Sequence, residues 1–282
     1  MRTRFIVATR HDEDAFFRSS LLAQSLEQFV TSAEFLLEPA FQSSAGLASV
    51  YNPAIERSQP GDRLVFIHDD VYIDDWHFDT RLREALAAFD VVGVAGAIAR
   101  TSRQPAWWAT ESRGNLVPTG PGTQSGAIKH IKPRRRRSWA RFIESGLAHV
   151  APGRGAWRKL WTANPDGSYV LSPVDNKGDA APSVRHAGSG AGKLDSFGPA
   201  PAAVKLLDGV FLAVRADRLL TSAVRFDPRF QYHFYDLDFC RQCETAGLTM
   251  GTWPISLTHG SYGGWGDGWR KAKNIYLDKW RD

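Results

Sequence analysis

The sequence is poor in cysteine, with two in 282 residues. Two thiols cannot build a disulfide framework, which excludes the small stapled secreted scaffolds and makes the cytosol the expected compartment. No run of 18 apolar residues occurs, so no membrane-spanning helix is expected. Met1 to Arg10 holds only a short apolar run, Phe5 to Ala8, and lacks the long apolar stretch and small-residue cleavage site of a secretory leader. No segment repeats at a fixed period.

What is present fits a folded α/β protein. The hydrophobic fraction is 43%, with 10 Trp, 7 Tyr and 16 Phe, enough to fill a sizeable core and exclude a wholly disordered chain. The length suits one large domain, 1–282, or one domain carrying an insertion. The net charge of +5 is unevenly spread: residues 101–205 hold 16 Lys+Arg against 6 Asp+Glu, so they carry +10 and the remainder −5. The same stretch has 10 of the 15 Pro and 13 of the 25 Gly, and its centre reads Lys129-His130-Ile131-Lys132-Pro133-Arg134-Arg135-Arg136-Arg137. This break in composition reads as a loop-rich basic insertion. Such a run suits a solvated loop, or contact with an anionic partner such as a phospholipid surface or a phosphate-bearing acceptor. Nucleic acid is disfavoured, because Trp107, Trp108 and Trp139 are not interleaved with the basic residues as a stacking platform would be.

Outside that stretch, strands and helices alternate. Arg4 to Thr9, Glu34 to Leu37, Arg63 to Ile67 and Val91 to Gly96 read as strands. Asp12 to Phe29, Leu47 to Arg57 and Trp76 to Phe89 read as helices, with Asp12 as a cap and Pro53 limiting where the second begins. After the insertion come an apolar stretch, Leu206 to Val214, broken by Asp208-Gly209, then a helix over Leu237 to Ala246 and a strand or edge segment, Leu248 to Ile255. This order predicts a mainly parallel sheet flanked by helices.

Three acidic or histidine-bearing segments stand out. His68-Asp69-Asp70 follows the third strand, where ligands bind in open α/β sheets. Adjacent residues face opposite ways on an extended chain, so one carboxylate faces a ligand and the other supports the loop. A carboxylate there suits a hard divalent cation, although two acids alone also fit a solvated turn. Asp236 and Asp238 open the later helix, where acids serve as caps or, facing a pocket, as a general base. His259 follows an apolar segment and becomes a metal ligand if it meets Asp70. Cys240 and Cys243, lying within that helix with no second pair, read as buried packing thiols rather than a zinc or redox motif.

The ordered set of these pieces resembles the GT-A glycosyltransferases of the family-2-like type. The matching pieces are Phe5–Thr9, Val50 to Ile55, Gly61 to Val71, Leu207 to Arg215, Phe226-Asp227-Pro228, Tyr235 to Asp238 and His259. The resemblance covers about residues 4–97 and 206–262. It implies a GT-A, Rossmann-like fold and inverting transfer of a sugar from a nucleotide-diphosphate sugar, with a UDP-sugar favoured, to a glycan or lipid-linked hydroxyl. It further implies a role in surface glycan or polysaccharide synthesis, in the cytoplasm or peripherally at an anionic membrane face.

The family's D-x-D motif matches His68-Asp69-Asp70, making Asp70, with the late His259, the ligands of Mn²⁺ or Mg²⁺. The family's later acidic pair matches Tyr235-Asp236, making Asp236 the catalytic base. Thr9, Arg10, Asn52, Asp69, Asp208 and Gly209 are implied to line the nucleotide-sugar. Two family acids are thus His68 and Tyr235 here, and Glu38-Pro39-Ala40 replaces the usual Asp-rich nucleobase loop. A catalytically inactive nucleotide-sugar binder and a binding module for anionic polymer or membrane remain alternatives. A nucleotidyltransferase is disfavoured, because Ala8-Thr9-Arg10-His11-Asp12 lacks the glycine-rich phosphate loop.

Overall fold

The computed structural model describes residues 2–29, 34–112, 115–120, 122–131, 161–171, 193–261, 264 and 266–281. The arginine run 134–137 and Trp139 lie outside the described residues. The strands are β1 (Thr3–Ala8), β2 (Phe35–Ala40), β3 (Arg63–Ile67), β4 (Val71–Ile73), β5 (Val91–Gly93), β6 (Ala95–Ala97), β7 (Ala109–Ser112), β8 (Asn115–Pro118) and β9 (Gln124–His130). They continue with β10 (Trp161–Ala163), β11 (Tyr169–Leu171), β12 (Lys193–Gly198), β13 (Ala202–Ala203), β14 (Leu206–Leu207), β15 (Phe211–Arg215), β16 (Met250–Thr252) and β17 (Leu257–His259). The helices are α1 (Glu13–Ser19), α2 (Leu21–Leu26), α3 (Ala48–Glu56), α4 (Phe78–Ala88), α5 (Ala216–Ser222), α6 (Tyr235–Thr245) and α7 (Asp267–Lys279).

The architecture is mixed α/β. A nine-stranded sheet runs β10-β11-β2-β1-β3-β15-β5-β16-β13, and a second sheet runs β14-β6-β9-β17-β4 with β12 on β9. The expectation of a mainly parallel sheet is corrected. In the larger sheet only β1–β2, β1–β3 and β5–β16 are parallel, while β15 enters antiparallel between β3 and β5. The alternation of strands and helices reports the first half of the chain well, but β15 arrives from far along the sequence and inserts the other way.

Side-chain alternation along the strands sorts the core into two faces. On one, Phe5 of β1 packs on Phe78 of α4 at 5.7 Å between ring centroids. On the other, Phe66 of β3 packs on Tyr51 of α3 at 4.8 Å, and Tyr51 meets Phe226 at 5.0 Å. Segment 101–205 contributes to both sheets: β10 and β11 extend the larger one beyond β2, and β9 lies between β6 and β17 in the smaller.

The two sheets exchange chain at short crossings. The turn 68–70 leads from β3 to β4, Val94 from β5 to β6, and 208–210 from β14 to β15. Val91 to Gly96 therefore is two strands rather than the one its unbroken apolar run suggests. Gly126 allows this close approach: with φ at +94°, a Cβ there would lie 1.9 Å from the Val94 carbonyl oxygen.

The predicted helix 12–29 is also divided. Asp12 caps α1 through the Ala15 amide at 2.7 Å. Ser20 then leaves helical geometry and caps α2 through the Ala23 amide. The break brings Ser20 Oγ 2.8 Å from the Asp69 carbonyl, which also accepts from the Leu22 amide, so a helix cap anchors the turn that carries the acidic pair. Ser20→Ala removes the cap and this anchor together and is expected to lower unfolding free energy by ~1–2 kcal/mol. A urea titration measures it, and an unchanged midpoint contradicts the anchoring role.

Candidate active site

The acids and histidines singled out from the sequence gather where the chain crosses between sheets. His68, Asp69, Asp70, Asp208 and Asp236 are each half-buried, so solvent reaches them. The two neighbouring carboxylates at the end of β3 divide their work. Asp69 Oδ2 accepts from the Thr9 hydroxyl at 2.5 Å, tying the ends of β1 and β3 together. Asp70 Oδ1 instead lies 3.3 Å from His259 Nε2 and 4.0 Å from His68 Nδ1. His68, Asp70 and His259 place one donor atom each within 4.8 Å of one another. Two imidazole nitrogens and one carboxylate oxygen form a donor set suited to a divalent metal ion.

The backbone holds this group from both sides. His259 pairs with Val71 across β17 and β4, and the Gly260 amide donates to the Asp70 carbonyl at 2.8 Å. Burial works against the charge of Asp70, but the hydrogen bond and positive charge of His259 more than offset it and hold the carboxyl well below the usual range. For His259 burial likewise opposes the charged form, and the Asp70 carboxylate overcomes it and raises the imidazole. Burial raises Asp69, with the Thr9 hydrogen bond acting against it.

Asp236 sits in the first turn of α6. Its Oδ2 accepts from the Gly209 amide at 3.0 Å. Dense surroundings, followed by the negative charge of Asp208, push its carboxyl up to about 7 although the residue keeps a solvent-facing edge. Asp208 is committed on both oxygens: Oδ1 accepts from the Val210 amide at 2.9 Å and Oδ2 from the Trp107 indole at 2.7 Å. Tyr235 connects the halves of the site. Its hydroxyl donates to the Gly209 carbonyl at 2.8 Å and lies 2.9 Å from His68 Nε2.

Of the residues the resemblance implied, Thr9, Asp69, Asp70, Asp208, Gly209, Asp236 and His259 thus fall into one connected network. Two do not join it. Asn52 spends its amide on the main chain of Phe226, donating to the carbonyl at 2.8 Å and accepting from the amide at 2.9 Å. Arg10 is exposed and lies over the Tyr232 ring, 5.9 Å from its centroid.

The sequence reasoning missed His68 as a donor, Trp107 as the clamp on Asp208, and His130. The His130 ring stands 5.5 Å from that of His259, in register across β9 and β17, with Nδ1 3.0 Å from Asp195. In the sequence it is one residue of a basic run. Only the parallel pairing of two distant strands brings it here, and no local signal reports that pairing. Cys240 and Cys243 are buried and free, as their helical spacing predicts.

No protein-family model matches the sequence, and no curated protein matches it. Among solved structures, the chain is similar to A197 from STIV at a TM-score of 0.42 and 10% identity, over 93% of this chain and 87% of that one. It is also similar to GalNAc-T7, solved with UDP, GalNAc and Mn²⁺, at a TM-score of 0.46 and 10% identity. That match takes in 100% of this chain but 49% of GalNAc-T7, so the chain spans about half of its length. At these scores neither likeness bears on the chemistry of this chain.

Gly209 is where the site is tightest. A Cβ there would lie 2.3 Å from the Tyr235 hydroxyl and 2.9 Å from Asp236 Cβ. Gly209→Ala is expected to displace both side chains and cost ~1–3 kcal/mol of stability as an overpacking change. Chemical denaturation measures this, and a wild-type value contradicts the packing described.

Proposed function

We propose that the chain is a metal-dependent inverting glycosyltransferase, moving a sugar from a nucleotide-diphosphate sugar to a hydroxyl acceptor. The observation that carries the reading is Asp236. It is a carboxyl with a solvent-facing edge, fixed by the Gly209 amide and raised to about 7, and it is joined through Gly209 and Tyr235 to the His68, Asp70 and His259 group. A base poised near neutrality beside a cation-binding group suits attack by a hydroxyl on a centre whose leaving group is a diphosphate.

Asp70 and His259 would hold the cation, Mn²⁺ or Mg²⁺. Bound there, it supplies positive charge against the diphosphate that departs. The chain's own residues do the rest. Asp236 takes the proton from the acceptor oxygen, on the face of the sugar opposite the leaving group. The Gly209 amide keeps that carboxylate aimed. Thr9 and Asp69, joined at the ends of β1 and β3, border the nucleotide side. Asp208, held by Trp107, lies beside Asp236, whose carboxyl is raised first by burial and then by the charge of Asp208.

A UDP-sugar is the favoured donor, and a glycan or lipid-linked hydroxyl in surface glycan or polysaccharide synthesis the favoured acceptor. The basic stretch 129–137 would favour acceptors at an anionic membrane face. Among the described residues no helix is long and apolar enough to cross a membrane.

Asp236→Asn keeps the shape of the side chain and removes its basicity. Transfer is expected to fall by about 10²–10⁴-fold with donor affinity retained. Below about pH 7 the wild-type carboxyl is protonated and cannot accept a proton. Wild-type kcat/KM therefore rises with pH through that point, and the residual rate of the variant does not. A variant within a few fold of wild type, or a wild-type profile flat from pH 5 to 9, assigns the base elsewhere.

A further inference from the structure

Among the described residues, four other than glycine have a positive φ: Gln42, Arg103, Ala223 and Phe234. The first three are exposed, whereas Phe234 is buried. With φ at 65° and ψ at 0°, Phe234 stands in the left-handed region directly before α6, and its side chain makes no capping hydrogen bond. A bulky residue is held in that region at a cost, and glycine would meet the backbone requirement without one. Such a conformation persists only where its surroundings fix it.

The surroundings that fix it belong to α7. The Phe234 ring lies 5.3 Å from that of Trp269 and 5.2 Å from that of Tyr276, centroid to centroid. The end of the same helix takes a second hold four residues further along α6. Asp238 is wholly buried, and its Oδ1 accepts from the Trp280 indole at 2.7 Å and meets the Lys279 ammonium at 2.6 Å. The Asp238 amide in turn donates to the Phe234 carbonyl at 2.9 Å. Asp236 lies midway between the two holds, with its carboxylate on the Gly209 amide at 3.0 Å. Relaxation of residue 234 to negative φ would redirect the chain entering α6 and draw that carboxylate off the amide.

We propose that Phe234 is a positioning residue for Asp236: Trp269 and Tyr276 of α7 clamp its ring, and the left-handed backbone so held aims the first turn of α6 at Gly209. A phenylalanine where glycine would be free of strain is then explained, because the ring is the handle by which α7 sets the direction of the turn. The inference rests on Asp236 as the proposed base, but its first readout does not use transfer.

The test compares Phe234→Ala with Phe234→Gly in the whole chain, read by hydrogen exchange at the Gly209 amide. Alanine loses the ring and still resists the left-handed region, whereas glycine loses the ring and accepts it. Exchange is expected to quicken at least about tenfold in Phe234→Ala and to stay near wild type in Phe234→Gly. In transfer, kcat is expected to fall about 100-fold for alanine, with donor KM within about twofold, and less than about tenfold for glycine. A role in packing alone gives the opposite order, since glycine restores less volume than alanine and costs more on folding. Trp269→Leu is the second arm: it is expected to quicken exchange in the wild-type background and to add nothing to Phe234→Gly. It decides the matter if Phe234→Ala does not fold. Equal exchange in the alanine and glycine variants, faster exchange with glycine, or an equal effect of Trp269→Leu in both backgrounds overturns the inference and leaves the base assignment standing. If the expected order is found but Asp236→Asn transfers sugar as the wild type does, the positioning stands and the base assignment alone fails.

Discussion

The site depends on the contact between the Asp70 carboxylate and His259 across the seam of the two sheets. Asp70 belongs to the turn that leaves the nine-stranded sheet, and His259 ends a strand of the smaller one. Their pairing at 3.3 Å, with the Gly260 amide on the Asp70 carbonyl, fixes how the two layers meet. The crossing at 208–210 lies beside it, since the His68 amide reaches toward the Val210 carbonyl. Donor atoms, acids and the Gly209 close approach therefore converge because the chain changes sheets here, and a change of sheet needs tight turns whose side chains point into the gap.

Within that gap, partners rather than residue type set the behaviour of the four aspartates. His259 keeps Asp70 ionised against its burial. Asp69 is spent on Thr9. Asp208 is held on both oxygens by Val210 and Trp107, and its charge then acts on Asp236, which burial has already raised. Like acids placed in unlike surroundings are pushed toward unlike behaviour within one gap. The clamp on Asp208 comes from segment 101–205, so the basic stretch is coupled to the site by more than its charge.

Much of this was legible in sequence where the signal is local. Asp12 as a cap, Arg63–Ile67 as a strand and the helix after Tyr235 follow from short-range pattern, whereas Asp69 and Asp70 diverge within a turn closed by the Val71 amide on the His68 carbonyl, not on the extended chain assumed from the sequence. What was not legible is long-range pairing. The antiparallel entry of β15 overturned the expected parallel sheet, and the β9–β17 pairing placed His130 beside His259 with no cue in the basic run. Asn52 matched a motif position, yet the neighbouring packing of Tyr51 on Phe226 recruits its amide to the main chain. His68 and Tyr235, far apart in sequence, could not be read together, because only the fold brings them within hydrogen-bond distance.

The most direct measurement of the central claim is a thermal-shift series with nucleotide diphosphates and nucleotide sugars, each with and without Mn²⁺. A ligand present at 100 times its Kd adds about 2.7 kcal/mol to the folded state, enough to move the midpoint by several degrees. The account predicts a shift with one nucleotide and its sugar that appears only when Mn²⁺ is present. No shift with any of them, or one of equal size without metal, contradicts it.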